Sequence, residues 1–182
     1  MRFHRKRSGL VEARLDAVEA DVLTAVVGDL LVLLGDDDAG EQDPLAAMVG
    51  MPTGPVEPPT DPALARLLPD AYGDDDEAAT EFRRYTETDL RAGKRAHAAV
   101  VLGTLAPYVD RGGRIPLDRE QADAWLTCLN DLRLVLGTRL EVTEDTDFEP
   151  GSDDPRSQAL MVYGWLGWLQ ESLLECLEPR PR

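Results

Sequence analysis

Residues Asp61–Lys94 read DPALARLLPDAYGDDDEAATEFRRYTETDLRAGK and contain the start signals of two helices. An Asp-Pro pair opens the stretch, and an N-cap followed by proline predicts a short helix through Leu68. The acidic run Asp74–Glu77 suits the positive end of a helix dipole, so a long helix is predicted over about residues 76–106. Apolar side chains at helical spacing predict the face of this helix that packs on the core: Phe82, Tyr85, Ala92, Ala96 and Val100.

Capping residues and apolar periodicity predict three more long helices, over about residues 16–34, 118–140 and 156–177. Another Asp-Pro pair predicts a short helix over residues 43–49. Ser8-Gly9 lies between Arg2–Lys6 and Leu10–Arg14, and the alternation of Val11, Ala13 and Leu15 with polar residues predicts a β-hairpin.

The fold class is therefore expected to be mainly α. We expect a helical bundle of four long helices with short helical inserts and a small N-terminal β-hairpin. A chain of 182 residues fits a single helical domain, 1–182. Within it, residues 1–15 would form a β-hairpin arm and residues 16–182 the helical body.

The charge of the chain restricts its partners. Nineteen basic residues stand against 35 acidic ones, a net charge of −16. Four of the cations precede the first acid and form a candidate nucleic-acid arm: Arg2, Arg5, Lys6 and Arg7. The acidic remainder should repel DNA and anionic membranes, because lysines and arginines supply most phosphate affinity. Direct DNA binding is expected to be weak or partner-assisted, no membrane is expected as a partner, and a basic protein is the natural complement.

Several polar residues lie beside predicted apolar stripes. Asp89 falls in the middle of the apolar face predicted for its helix, where a carboxylate must be paired, exposed through a gap or protonated. The candidate network consists of Asp89, Arg133, Arg139 and Gln170. It is interpreted either as a buried ion pair that fixes helix register or as a switchable polar pocket. A basic cluster with Arg83, Arg84 and Arg91, together with Trp165 and Trp168, supplies candidate partner contacts, although a solvated helix face and a core position are the simpler interpretations.

The two cysteines, Cys128 and Cys176, are too few for a disulfide scaffold. They lie on helices expected to be antiparallel neighbours, with Cys176 several residues beyond the level of Cys128. They are interpreted as ordinary buried cysteines or as a redox pair. No catalytic, metal-ligating or cofactor motif is found, so neither an enzyme nor a cofactor is expected. No signal peptide is seen, and a cytoplasmic location is expected.

Four strings carry a resemblance that covers most of the chain: DPALARLLPDAY, EFRRYTETDLR, WLTCLNDLRLVLGTRL and YGWLGWLQESL. Together they resemble the actinobacterial AosR-like oxidative-stress regulators, a family first described as a domain of unknown function. The resemblance implies a redox-responsive transcriptional regulator that acts with a stress sigma factor or RNA polymerase at cysteine-biosynthesis genes. It also implies sensing through an intramolecular disulfide, for which Cys128 and Cys176 are the candidates.

The leading hypothesis from the sequence is thus a non-enzymatic regulator that works through protein–protein contact. The alternative is a non-redox adaptor or assembly protein, linked to Clp proteolysis. A homo-oligomer is compatible with either hypothesis.

Overall fold

The computed structural model describes residues 1–6, 9–35, 57–72, 75–146 and 155–178, which contain five α-helices, a short 3₁₀ helix over Ala106–Tyr108 and three strands. The helices are α1 Ala17–Leu34, α2 Pro62–Leu67, α3 Asp76–Leu105, α4 Arg119–Arg139 and α5 Pro155–Leu177. The strands are β1 Arg2–Arg5, β2 Val11–Leu15 and β3 Gly113–Leu117. The prediction of a mainly helical protein is confirmed, whereas the helix predicted over residues 43–49 lies outside the described residues.

Local capping residues set the helix starts. Asp16 accepts a hydrogen bond from the backbone N–H of Glu19, whose side chain accepts one in return. Asp118 and Gln121 form the same capping box at α4. Such boxes satisfy backbone donors that would otherwise lack partners in the first helical turn, which is why the sequence located these starts correctly.

The sheet has three antiparallel strands in the order β1-β2-β3, so the predicted N-terminal hairpin is present as β1 and β2, and a third strand that was not predicted joins it. Arg2 pairs with Arg14 across the hairpin, and Val11 pairs with Leu117 of β3. The third strand was missed because Pro116 argues against a strand. Proline is tolerated here because β3 lies at the edge of the sheet.

The sheet packs directly into the helical core. Trp125 of α4 is fully buried and meets the Phe3 ring edge-on, with 5.8 Å between ring centroids. Its indole N–H donates to the Thr104 hydroxyl of α3 at 2.9 Å. The core around this indole is built from leucines of α1 and α5, among them Leu23, Leu30, Leu34, Leu166, Leu169 and Leu173.

Helix α3 presents the opposite face to the core from the one predicted. Its buried residues are Ala79, Arg83, Ala98, Val101 and Leu105. In contrast, Phe82 is 40% exposed and Tyr85 is 53% exposed, and Ala92 and Ala96 also face solvent. The predicted stripe is wrong because the inward face carries charged side chains that find partners on other elements, which apolar periodicity cannot register.

Candidate functional site

The inward face of α3 holds a chain of ion pairs at its N-terminal half. Arg83 is buried and pairs with Asp70 and with Glu87, whose carboxylate lies 3.0 Å away. Glu87 also accepts from Arg91 at 2.6 Å. Burial lowers the pKa of Arg83, but the hydrogen bonds to Glu87 and Asp70 outweigh it and raise the pKa. Arg83 and Arg91 are therefore engaged within the fold.

Two arginines of α3 also satisfy the end of α1. Arg91 donates to the carbonyl oxygen of Leu34 at 2.6 Å, and Arg95 donates to that of Gly35. The last carbonyls of a helix lack intrahelical partners and carry the negative end of its dipole. A guanidinium group supplies both hydrogen-bond donors for these carbonyl oxygens and a positive charge beside the negative end of the dipole. The two contacts therefore fix the position of α3 against α1.

The third inward contact joins α3 to α4. Lys94 donates to Asp131 at 2.7 Å, and Asp131 is only 1% exposed. The second carboxylate oxygen of Asp131 makes no hydrogen bond within the described part of the chain. Sequence reasoning missed this pair because the two residues lie 37 positions apart and neither belongs to a recognised motif.

The predicted polar network is only partly assembled. Arg133 donates to the side-chain oxygen of Gln170 at 2.6 Å and lies over the Tyr163 ring. Asp89 is exposed on α3, so its predicted burial beside Arg133 is wrong, because α3 turns that face to solvent. Arg139 contacts the α2 cap Asp61 at 3.4 Å on the surface.

The other candidate contact residues divide between core and surface. Trp165 packs against the core and is half-buried, whereas Trp168 is 45% exposed. Trp168 lines a surface groove of roughly 290 Å³ together with Arg2 and two glutamates of α5. Arg84 lies over the Tyr85 ring with 5.7 Å between its guanidinium carbon and the ring centroid.

The N-terminal cations are partly engaged within the protein. Arg5 donates to the Glu178 carbonyl oxygen at 2.8 Å, and Lys6 pairs with Glu12 at 2.8 Å. The hydrogen bond from Lys6 lowers the pKa of Glu12. Arg7 lies outside the described residues. Two of the arm's cations therefore already have acceptors of their own.

Both cysteines are free and both thiols resist ionisation. Burial raises the pKa of Cys128 to about 12, with the Asp131 carboxylate adding to the effect. Burial also raises the pKa of Cys176, which is only half-buried. A thiolate is the reactive form of cysteine, so Cys176 is the more available of the two.

The register of α4 against α5 sets the separation of these cysteines. Asn130 accepts a hydrogen bond from Gln170, and Gly137 faces the Tyr163 ring. In this antiparallel register Cys128 of α4 lies level with Ser172 of α5. Cys176 is four residues further along α5, so the two cysteines are offset by roughly 6 Å along the helix axis. Added to the usual spacing of packed helices, this places the Cα atoms beyond the roughly 7 Å that a disulfide spans.

Two further features are absent from the described ranges. No group of three His, Cys, Asp or Glu side chains is arranged to hold a metal ion there. Nor does any described helix have an apolar stretch of the length and character needed to cross a bilayer.

Comparisons with known proteins give a consistent result. The family model described as "Domain of unknown function (DUF2017)" matches residues 1–177. The oxidative stress regulator AosR of Mycobacterium tuberculosis (strain ATCC 25618 / H37Rv) is 35% identical over 170 residues, which cover 86% of this chain and 77% of that protein. AosR of Mycobacterium leprae (strain TN) is 36% identical over 173 residues, 87% of this chain and 78% of the relative. No solved structure matches the chain significantly.

Proposed function

The chain belongs to the DUF2017 family, and on that premise we propose that it is a transcriptional regulator of the oxidative-stress response that acts by binding another protein. The partner in this proposal is a stress sigma factor or RNA polymerase, at genes that include those of cysteine biosynthesis. The regulator performs no catalysis of its own. Its curated relatives are named oxidative stress regulators, which supports the regulatory role.

The charge distribution is the observation that carries the protein-contact mode. A net charge of −16 repels a phosphate backbone. Four of the cations that could offset it are engaged within the protein, since Arg5 and Lys6 have acceptors there and Arg83 and Arg91 are held in ion pairs. An acidic surface instead attracts basic protein surfaces and speeds their association.

Redox sensing in this proposal uses Cys128 and Cys176. The Cys176 thiolate attacks hydrogen peroxide, giving a sulfenic acid and hydroxide, and the Cys128 thiol then displaces hydroxide to form the disulfide. Overall the two thiols lose two electrons and two protons, and peroxide becomes two molecules of water. The offset between the cysteines means that α5 must shift by about one turn along α4, so oxidation would alter the surface near both helices.

Two binding measurements test the protein-contact mode. The full chain should bind RNA polymerase holoenzyme carrying a stress sigma factor, and the purified chain alone should not shift promoter DNA at 0.15 M salt. A shift by the chain alone that falls steeply with salt and is lost in the Arg2→Gln, Arg5→Gln variant would refute this mode of action.

Mass spectrometry tests the redox element separately. Peroxide-treated protein should yield a peptide pair linked through Cys128 and Cys176, and a Cys176→Ser variant should yield none. Oxidation of Cys176 to sulfinic acid without any linked pair would contradict the disulfide mechanism.

A further inference from the structure

The outward face of α3 carries a regular pattern that the described part of the fold contacts only at its N-terminal end, where the Phe82 ring meets that of Tyr72 edge-on at 5.9 Å between centroids and Arg84 lies over Tyr85. Seven positions spaced alternately three and four residues apart form one stripe along the helix, and every one of them is exposed. We call this stripe the outer seam; its residues are Phe82, Tyr85, Asp89, Ala92, Ala96, Ala99 and Gly103. Alternation of three and four is the heptad spacing with which one helix packs along another.

The composition of the outer seam is the reverse of an ordinary solvated face. Six of its seven residues are apolar or glycine, and Asp89 is the one charged member. The opposite side of α3, which faces the protein, carries Arg83, Glu87, Arg91 and Lys94. An amphipathic helix of a free-standing domain normally turns its charges to water. On α3 the apolar face is exposed and the charged face is turned inward, which indicates that another protein surface covers the outer seam.

Glycine at position 103 supplies an independent observation. A Cβ added there would meet no atom within 4 Å, so nothing in the described structure requires a glycine. Glycine inside a helix costs about 1 kcal/mol relative to alanine. With the alanines at 92, 96 and 99 it gives the C-terminal part of the seam a shallow surface, which lets a second helix approach closely.

We propose that the outer seam docks a helix of a basic partner protein, with a lysine or arginine of that helix opposite Asp89. This inference rests on the proposed function and specifies the surface used. The seam spans 22 residues, about 33 Å of helix, with aromatic anchors at one end and small residues along the rest. Apolar side chains of the partner helix fill the alanine-lined part, and Phe82 and Tyr85 insert between its side chains.

Asp89 selects this occupant over a second copy of the chain. A carboxylate covered by a helix interface is strongly destabilising unless it is paired. A parallel homodimer would place two Asp89 carboxylates together, and an antiparallel one centred on the seam would place Asp89 opposite Ala96. Neither arrangement pairs the charge, whereas a basic residue on a partner helix does, in keeping with the acidic surface of this chain.

Fluorescence anisotropy with two synthetic peptides tests the proposal on the full chain. Both peptides are three-heptad helices with leucine at the core positions, and they differ only in lysine or glutamate at the position facing Asp89. The wild type should bind the lysine peptide at least about tenfold more tightly, and Asp89→Lys should reverse the preference. Ala96→Glu should abolish binding, while Val32→Glu, at an 81% exposed position of α1, should bind as the wild type does.

Three results would overturn the proposal: equal or absent binding of both peptides, binding unaffected by Ala96→Glu, or a homodimer in sedimentation that Ala96→Glu disrupts. Measuring holoenzyme binding in parallel separates this inference from the proposed function. If wild type and Ala96→Glu bind the holoenzyme equally, the seam is refuted and the protein-contact mode survives. If the wild type binds the lysine peptide as predicted but no holoenzyme, the seam stands and the proposed sigma factor or polymerase partner is refuted.

Discussion

Replacing Lys94 by methionine tests how α3 is held in its inverted orientation. The substitution keeps the aliphatic stem and removes the charge that pairs with Asp131 at 2.7 Å. Asp131 is 1% exposed, so its carboxylate would be left buried without a counter-charge. Breaking a buried ion pair on one side costs about 3 to 5 kcal/mol. Because Lys94 itself retains some exposure, we expect about 3 kcal/mol lost from the free energy of unfolding.

Urea unfolding followed by circular dichroism measures this loss, with two controls. Arg119→Met removes a partner from the exposed pair with Asp123 and should cost less than about 0.5 kcal/mol. Combining Lys94→Met with Asp131→Leu removes both charges and should recover most of the stability. A loss below 1 kcal/mol would refute the reasoning.

Three further predictions concern the cysteines and the turn before β3. Iodoacetamide at pH 8, with mass spectrometry as the readout, should label Cys176 faster than Cys128 in the folded protein and should label both at the same rate in urea. Equal labelling in the folded state would contradict the burial of Cys128. Because the folded pKa of Cys128 is raised to about 12, its contribution to stability is present below its ordinary pKa of 9.0 and is lost as pH rises from there toward 12. The difference in unfolding free energy between wild type and Cys128→Ser should therefore change by about 1 to 2 kcal/mol between pH 9 and pH 10.5, and no change would refute it. Gly112→Ala should destabilise the protein by about 1 to 3 kcal/mol in thermal melts, because Gly112 has φ +64 and an added Cβ would lie 2.7 Å from the Asp16 backbone. Gly93→Ala is the control: Gly93 has open space around it, so this substitution should be neutral or stabilising.

Features encoded within a few residues of each other were predicted well. Asp16 and Asp118 each carry a capping partner three residues later, so both helix starts are local properties of the chain. The offset between Cys128 and Cys176 could also be anticipated, because two helices joined by a short connector run antiparallel and residue counting gives their level. The family resemblance, carried by four strings, is confirmed.

Features that depend on distant partners were not predicted. The orientation of α3 is set by Lys94 against Asp131 and by Arg91 and Arg95 against the end of α1, so charged residues occupy positions that periodicity reserves for apolar ones. The apolar pattern on α3 was recognised correctly as a single stripe. Its assignment to the core was wrong, because the spacing of apolar residues does not tell whether the face they form packs on the core or is exposed.

Hydrogen–deuterium exchange of the full chain tests most directly whether it acts through another protein. The chain would be compared alone, with RNA polymerase holoenzyme carrying a stress sigma factor, and with promoter DNA. We expect the holoenzyme to slow amide exchange in the helix that carries the outer seam, over residues 82–103, and DNA alone to slow none. Protection of residues 1–6 by DNA alone, with residues 82–103 unchanged by the holoenzyme, would contradict the account.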